Sequence, residues 1–216
     1  MDYVQNLERI IRQMLRPLKD VPFGLVIEAI SQQKVLQFDM SQQENLILLG
    51  ILENAANSAG REINKKGISA KRANEVGNAI ESFVKAALNK EGLKAATPMT
   101  SQGRKKAMGY PNIEFTDKAG RTNYLECKTF NSNNISTTQR SFCLSPSEDF
   151  KVTKDGFHFL LAYEVIMDGR EANINIFKCK RFKVLSLENL LVDVKYEFNS
   201  DNKRLYKARM LVEKSF

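Results

Sequence analysis

The spacing of apolar residues changes period part-way along the chain, and this limits the folds open to it. Up to Gly92 apolar residues recur every three or four positions, the spacing of amphipathic helices. From Tyr110 the spacing falls to two, the spacing of strands. Helices followed by a hairpin-led mixed sheet point to an α/β or α+β layer fold, and we read the chain as α/β.

The helical part divides at recognisable signals. Val4, Leu7, Ile10, Ile11, Met14 and Leu15 mark a helix over 2–16 that Pro17 stops. A second apolar stretch follows Pro22, through Phe23, Val26, Ile27 and Ile30. Ser41-Gln42-Gln43-Glu44 has the form of a capping box, and the helix it opens carries Leu46, Leu48, Leu49, Leu52, Ala55, Ala56 and Ala59, with its end near Gly60. Residues 61–72 read as a basic connector. Val76, Ile80, Phe83, Val84, Ala87 and Leu88 form one stripe of a helix over 70–90. Strands are expected near 110–116, 122–130, 139–144, 157–167, 172–179 and 192–198. Residues 186–191 suit a short helix, and 203–212 fit either type. Asp117-Lys118-Ala119-Gly120 is a turn that pairs the first two strands. The expected division is a helical subdomain over 1–66 and a core over 67–216.

Composition narrows the partners. Of 216 residues, 43% are hydrophobic and 27% charged, which suits a globular chain. No apolar run reaches the roughly 18 residues of a membrane helix, and charges interrupt the N-terminus too often for a signal peptide. Three cysteines without paired spacing point to a reducing, cytoplasmic setting. His158 is the one histidine, which argues against a His-rich zinc site; in its apolar strand it reads as a core histidine. A net charge of +8 favours a polyanion, nucleic acid or an anionic membrane, unless it is a solvated surface without a partner.

One constellation carries chemistry. In Tyr124-Leu125-Glu126-Cys127-Lys128-Thr129-Phe130, residues two apart share a face, so Glu126 and Lys128 stand together. Asn112 and Glu114 share a face in Tyr110-Pro111-Asn112-Ile113-Glu114-Phe115, and the hairpin can set the two faces level. Oxygen ligands beside one ammonium suit Mg²⁺, which lowers the pKa of a bound water and neutralises phosphate charge. The lysine can orient that water or stabilise developing charge. Glu81 lies about 100° to the side of its helix's apolar stripe, at an edge from which it can reach the sheet.

A helix Glu, then Pro-Asn-Ile, then Glu-Cys-Lys resembles the PD-(D/E)XK nuclease superfamily over roughly 70–180. The surroundings are similar to type II restriction endonucleases, including the small enzymes that cut CGCG. The resemblance implies a restriction-endonuclease-like mixed sheet flanked by helices, acting on double-stranded DNA as a homodimer in a bacterial or archaeal cytoplasm. A cognate DNA methyltransferase is implied as a functional companion. By position, Glu126 is the metal-binding acid, Lys128 the catalytic lysine, Glu81 the helix glutamate, and Cys127 lends its backbone carbonyl to the metal. Asn112 stands where the superfamily has Asp. Its carbonyl oxygen can still bind Mg²⁺, or Glu114 can replace it, or activity is lost.

Other residues are candidates for DNA. Arg104, Lys105 and Lys106 precede the hairpin and can hold flanking phosphates. Asn131, Asn133, Asn134, Gln139 and Arg140 follow the catalytic strand, and Asn, Gln and Arg are side chains that read base edges. Each run is equally a solvated polar loop. Met40 is a wedge between base pairs or a staple on its own helix. Lys178, Lys180, Arg181 and Lys183 form a further basic run, interleaved with Phe177 and Phe182, which read as core. The reading is a Mg²⁺-dependent type II restriction endonuclease. A repair or junction-resolving nuclease, and a non-catalytic DNA-binding protein, are the alternatives.

Overall fold

A computed structural model of the chain describes residues 2–16, 18–72, 75–106, 108–134, 136, 137, 141–196 and 204. Pro17, Gln139, Arg140, all but one of residues 197–216 and the side chain of Asn134 lie outside the description. The expectations placed on them are therefore neither met nor missed. The chain forms two compact units, 1–21 with 191–216, and 22–190.

The first unit holds helix α1 (Tyr3–Met14), in which no residue is buried. Its Val4, Leu7 and Ile11 are exposed. Strand β7 (Leu191–Val192) pairs with β1 (Val21–Pro22), which begins in this unit. Beside the pair, Val194 N–H donates to Leu18 O at 2.8 Å and Asp20 N–H to Asp193 Oδ1 at 3.0 Å.

The second unit contains α2 (Phe23–Ser31), α3 (Gln43–Lys66), β2 (Ile68–Ala70), α4 (Val76–Lys90), β3 (Ile113–Thr116), β4 (Thr122–Phe130), β5 (Phe157–Glu171) and β6 (Ile174–Ser186). The five strands lie in the order β2-β6-β5-β4-β3. Only β4 and β5 run parallel; the other neighbours are antiparallel. Leu48, Leu52, Ala56 and Ile63 of α3 and Val76, Ile80 and Val84 of α4 share one core with Ile113, Leu125, Phe159 and Tyr163 of the sheet. The expected boundary after residue 66 thus falls inside this unit, with α3 packed in the same core as the sheet.

Several elements depart from the sequence expectation for local reasons. The capping box does not form: Ser41 Oγ donates to Asp39 Oδ1 at 2.7 Å, and Gln42, which makes no side-chain cap, precedes the helix. Helix α3 runs through Gly60 to Lys66. Gly60 gives close passage to the Tyr163 ring, 3.4 Å from where its Cβ would stand, and Tyr163 OH donates to Ala56 O of the same helix at 2.8 Å. Gly67, at φ 70°, ends it, and the supposed connector contributes the edge strand β2.

Helix α4 starts at Val76, later than expected. The β5–β6 hairpin turns at Ala172-Asn173, both at positive φ, so each strand outruns its expected limit. Residues 141–144 form no strand, and Leu187–Leu190 is a turn rather than a helix, closed by Leu190 N–H on Leu187 O at 3.0 Å. Of the strand expected over 192–198, residues 193–196 form none, and β7 stands at its start.

Candidate active site

Strand β4 alternates between two environments. Leu125 and Cys127 point into the helix-covered core. Tyr124, Glu126 and Lys128 point to the other face, beside His158, Leu160 and Ala162 of β5. The turn at Asp117–Gly120 sets the hairpin register, pairing Ile113 with Leu125 and Glu114 with Tyr124. Asn112 therefore arrives at the level of Glu126.

Glu126 is 4% exposed. Its Oε1 accepts from Lys128 Nζ at 2.8 Å, while its Oε2 is buried without a hydrogen-bond partner. Burial holds this carboxyl above the usual glutamate range, opposed by Lys128, the Asn112 backbone and Lys151. A buried oxygen with nothing to bind is costly, and such atoms mark places where a ligand completes the structure.

Asn112 Oδ1 accepts from the Cys127 backbone N–H at 2.8 Å. In this arrangement Asn112 straps the hairpin together across the Glu126 position. Glu114 lies two pairs further on; burial raises its pKa, the Lys154 charge opposes that, and its own charge acts on Tyr124. Glu81 reaches the neighbourhood from α4: its charge, like that of Glu126, acts on both Cys127 and Lys151. Lys85, which donates to Thr97 Oγ1 at 2.8 Å, pairs with Glu81 at 3.1 Å. Among the described residues no three His, Cys, Asp or Glu side chains are grouped as a metal site.

Lys151 was not singled out by the sequence. It is 3% exposed, and its Nζ donates to Gly109 O at 2.7 Å and Pro111 O at 3.0 Å, so it grips the turn that delivers Asn112. Burial lowers its pKa, while Glu126 and Glu81 oppose that shift. Next to this turn, Tyr110 OH meets His158 Nδ1 at 2.6 Å among Phe23, Phe142 and Tyr124. His158 is thus a core histidine, as its apolar strand suggested.

The DNA candidates sort differently. The Arg104 guanidinium is held by Asp149, with Nε at 2.9 Å and a terminal nitrogen at 2.6 Å, so it shapes its own loop rather than standing free. Lys105 and Lys106 are exposed. Asn131 and Asn133 are exposed too, but Asn133 N–H donates to Asn131 Oδ1 at 2.9 Å in a local turn leading into Ser132–Asn134. Met40 is exposed in the turn before α3, not stapled down.

A mixed sheet backed by helices, with Glu126 and Lys128 on the face opposite the α3–α4 core, is the build of restriction-endonuclease-like enzymes. The chain belongs to the type II restriction enzyme MjaV family, whose model matches residues 17–209. It is 37% identical to the type II restriction enzyme MjaV of Methanocaldococcus jannaschii, over 97% of this chain and 95% of the relative. No solved structure matches the chain. This membership makes it a site-specific endonuclease and sets aside the repair, junction-resolving and non-catalytic alternatives. No described helix is long and apolar enough to cross a membrane.

Proposed function

We propose that the protein cuts both strands of double-stranded DNA at a short palindrome, with Mg²⁺, through Glu126 and Lys128. The observation that carries this reading is the divided use of the Glu126 carboxylate: one oxygen holds Lys128 and the other is buried with nothing to bind. The donor set fits Mg²⁺, which takes one or two protein carboxylates and completes its shell with water and phosphate oxygens. Glu126 would hold it, with the Cys127 carbonyl, and Glu81 would anchor one of its waters. When bound it supplies an acidified water and charge neutralisation at the phosphate.

The chain's own groups do the remaining work. Lys128 positions the attacking water and balances charge developing on the phosphate. Asn112 serves mainly as the strap on the Cys127 amide, with its second lone pair turned to no role in this reading. Lys151 fixes the turn before it. Lys105 and Lys106 hold flanking phosphates, and the segment from Asn131 reads bases. A palindrome and two strands call for two active sites, hence a homodimer. Residues 1–66 embrace DNA or join the two copies. The setting is the cytoplasm, with a cognate methyltransferase protecting the host's DNA.

The test is incubation of a plasmid of known sequence with Mg²⁺ or with EDTA, beside a Lys128→Ala control. Discrete fragments that need Mg²⁺ and vanish in the variant are expected. Intact plasmid under every condition, with DNA still bound, overturns the catalytic assignment.

A further inference from the structure

The basic run on β6 joins the active-site face, which its sequence did not disclose. Lys128 of β4 lies beside Ala162 of β5, and Ala162 faces Lys183 of β6. In the next row Phe130 lies beside Glu164, and Glu164 faces Arg181. Residues in register across neighbouring strands project to the same side of a sheet. Lys183 and Arg181 therefore stand on the side that carries Glu126 and Lys128. Two strand spacings, about 10 Å, separate the backbone positions of Lys128 and Lys183, with only the methyl group of Ala162 between them.

This part of the face is open. Leu185 in the adjoining row is 43% exposed, and Lys183, Leu160 and Phe130 are half-buried. The Lys183 ammonium lies 5.2 Å from the centre of the Phe130 ring, leaning toward the catalytic strand, and the Arg181 guanidinium lies 6.0 Å from it. The two cations are not equivalent. Arg181 Nε is committed to the buried Glu164, which also accepts from Ser132 Oγ. Among the described residues no carboxylate pairs with Lys183. An aromatic ring steadies an ammonium without neutralising it, so the charge stays available to an anion.

We propose that Lys183, steadied by Phe130, is a backbone clamp that holds a DNA phosphate next to the one being cut. The row Lys128–Ala162–Lys183 then forms a short anionic track in which Lys128 serves the reacting phosphate and Lys183 its neighbour. This rests on the reading that DNA lies against the Glu126–Lys128 face. Lys183 makes no base contact in this role, so its contribution is independent of sequence and sensitive to salt.

The experiment measures binding of wild type, Lys183→Gln, Lys183→Arg and Lys90→Gln to a linear plasmid fragment, with Ca²⁺ in place of Mg²⁺, over a range of salt concentrations. Lys90 ends α4 and is exposed. Thermal unfolding of each protein checks that it is folded. Lys183→Gln is expected to weaken binding several-fold at low salt and to make the plot of log K against log salt shallower by about 1. Lys183→Arg and Lys90→Gln should keep the wild-type slope. A Lys183→Gln slope equal to wild type, in a folded protein that still binds DNA, overturns the clamp alone. No binding by wild type or Lys90→Gln overturns the DNA reading of the whole face, and the clamp with it.

Discussion

Leu125 and Glu126 are adjacent on one strand and equally buried, at 1% and 4% exposure, yet they do opposite things. Leu125 points into the core formed with α3 and α4, where removal from water stabilises the fold. Glu126 points to the other face, where burial raises its pKa and leaves Oε2 without a partner. A one-residue step along β4 therefore separates a side chain that holds the protein together from one that costs it stability. The difference teaches that burial alone does not mark the core: a buried group whose needs are unmet marks the site.

Predictions can break or sharpen this contrast. The largest concerns Lys128→Ala, which should lower the cleavage rate by at least about 10²–10³-fold while leaving the circular dichroism and melting temperature near wild type. A variant that unfolds instead would move Lys128 to the structural side. On the helix-covered face, Phe159→Ala should destabilise by about 3–5 kcal/mol in urea unfolding, because its ring is buried against Phe38 and the core. A loss under 1 kcal/mol would mean that this face is loosely packed.

The third prediction concerns pH. Burial holds His158 uncharged down to about 3, whereas an unfolded histidine takes its proton near 6.5. The unfolded state binds the proton first as pH falls, so this group's contribution drains away between about pH 6.5 and 3, at about 1.4 kcal/mol per unit. Between pH 7 and 4.5 wild type should lose about 2–3 kcal/mol more than His158→Gln by urea unfolding. Equal losses would show that the imidazole is accessible to protons. The smallest effect on stability is expected of Glu126→Gln. It should abolish cleavage yet raise stability by about 1 kcal/mol or less, since it removes a buried charge that favours its neutral form. Lower stability would mean that the Lys128 pair outweighs desolvation.

The hairpin was legible because everything that sets it is local. Alternation over Leu125–Lys128 and the turn at Asp117–Gly120 fix which residues share a face, and β4 spans its expected residues. Where a distant partner decides, the sequence is silent. Lys151 looks like any lysine until the fold brings it to the carbonyls of Gly109 and Pro111, some forty positions earlier. Gly60 reads as a helix end until Tyr163 comes to lie against it. Ser41 reads as a cap because Asp39, which accepts its hydrogen bond instead, lies outside the four-residue pattern. The β5–β6 turn was missed because Ala172-Asn173 carries no glycine, while Gly169 sits inside the strand.

The lone parallel pair in the sheet has an evolutionary consequence. Two adjacent strands that point the same way oblige the chain to travel back from the end of one to the start of the other. Here that return path, residues 131–156, departs directly from the strand bearing Glu126 and Lys128. The topology thus splices onto that strand a segment that opens in exposed polar residues and closes on Lys151, which is tied to the turn delivering Asn112. Under the proposed reading, in which the segment from Asn131 meets the bases, a new target site can arise just after β4 without altering Glu126 or Lys128.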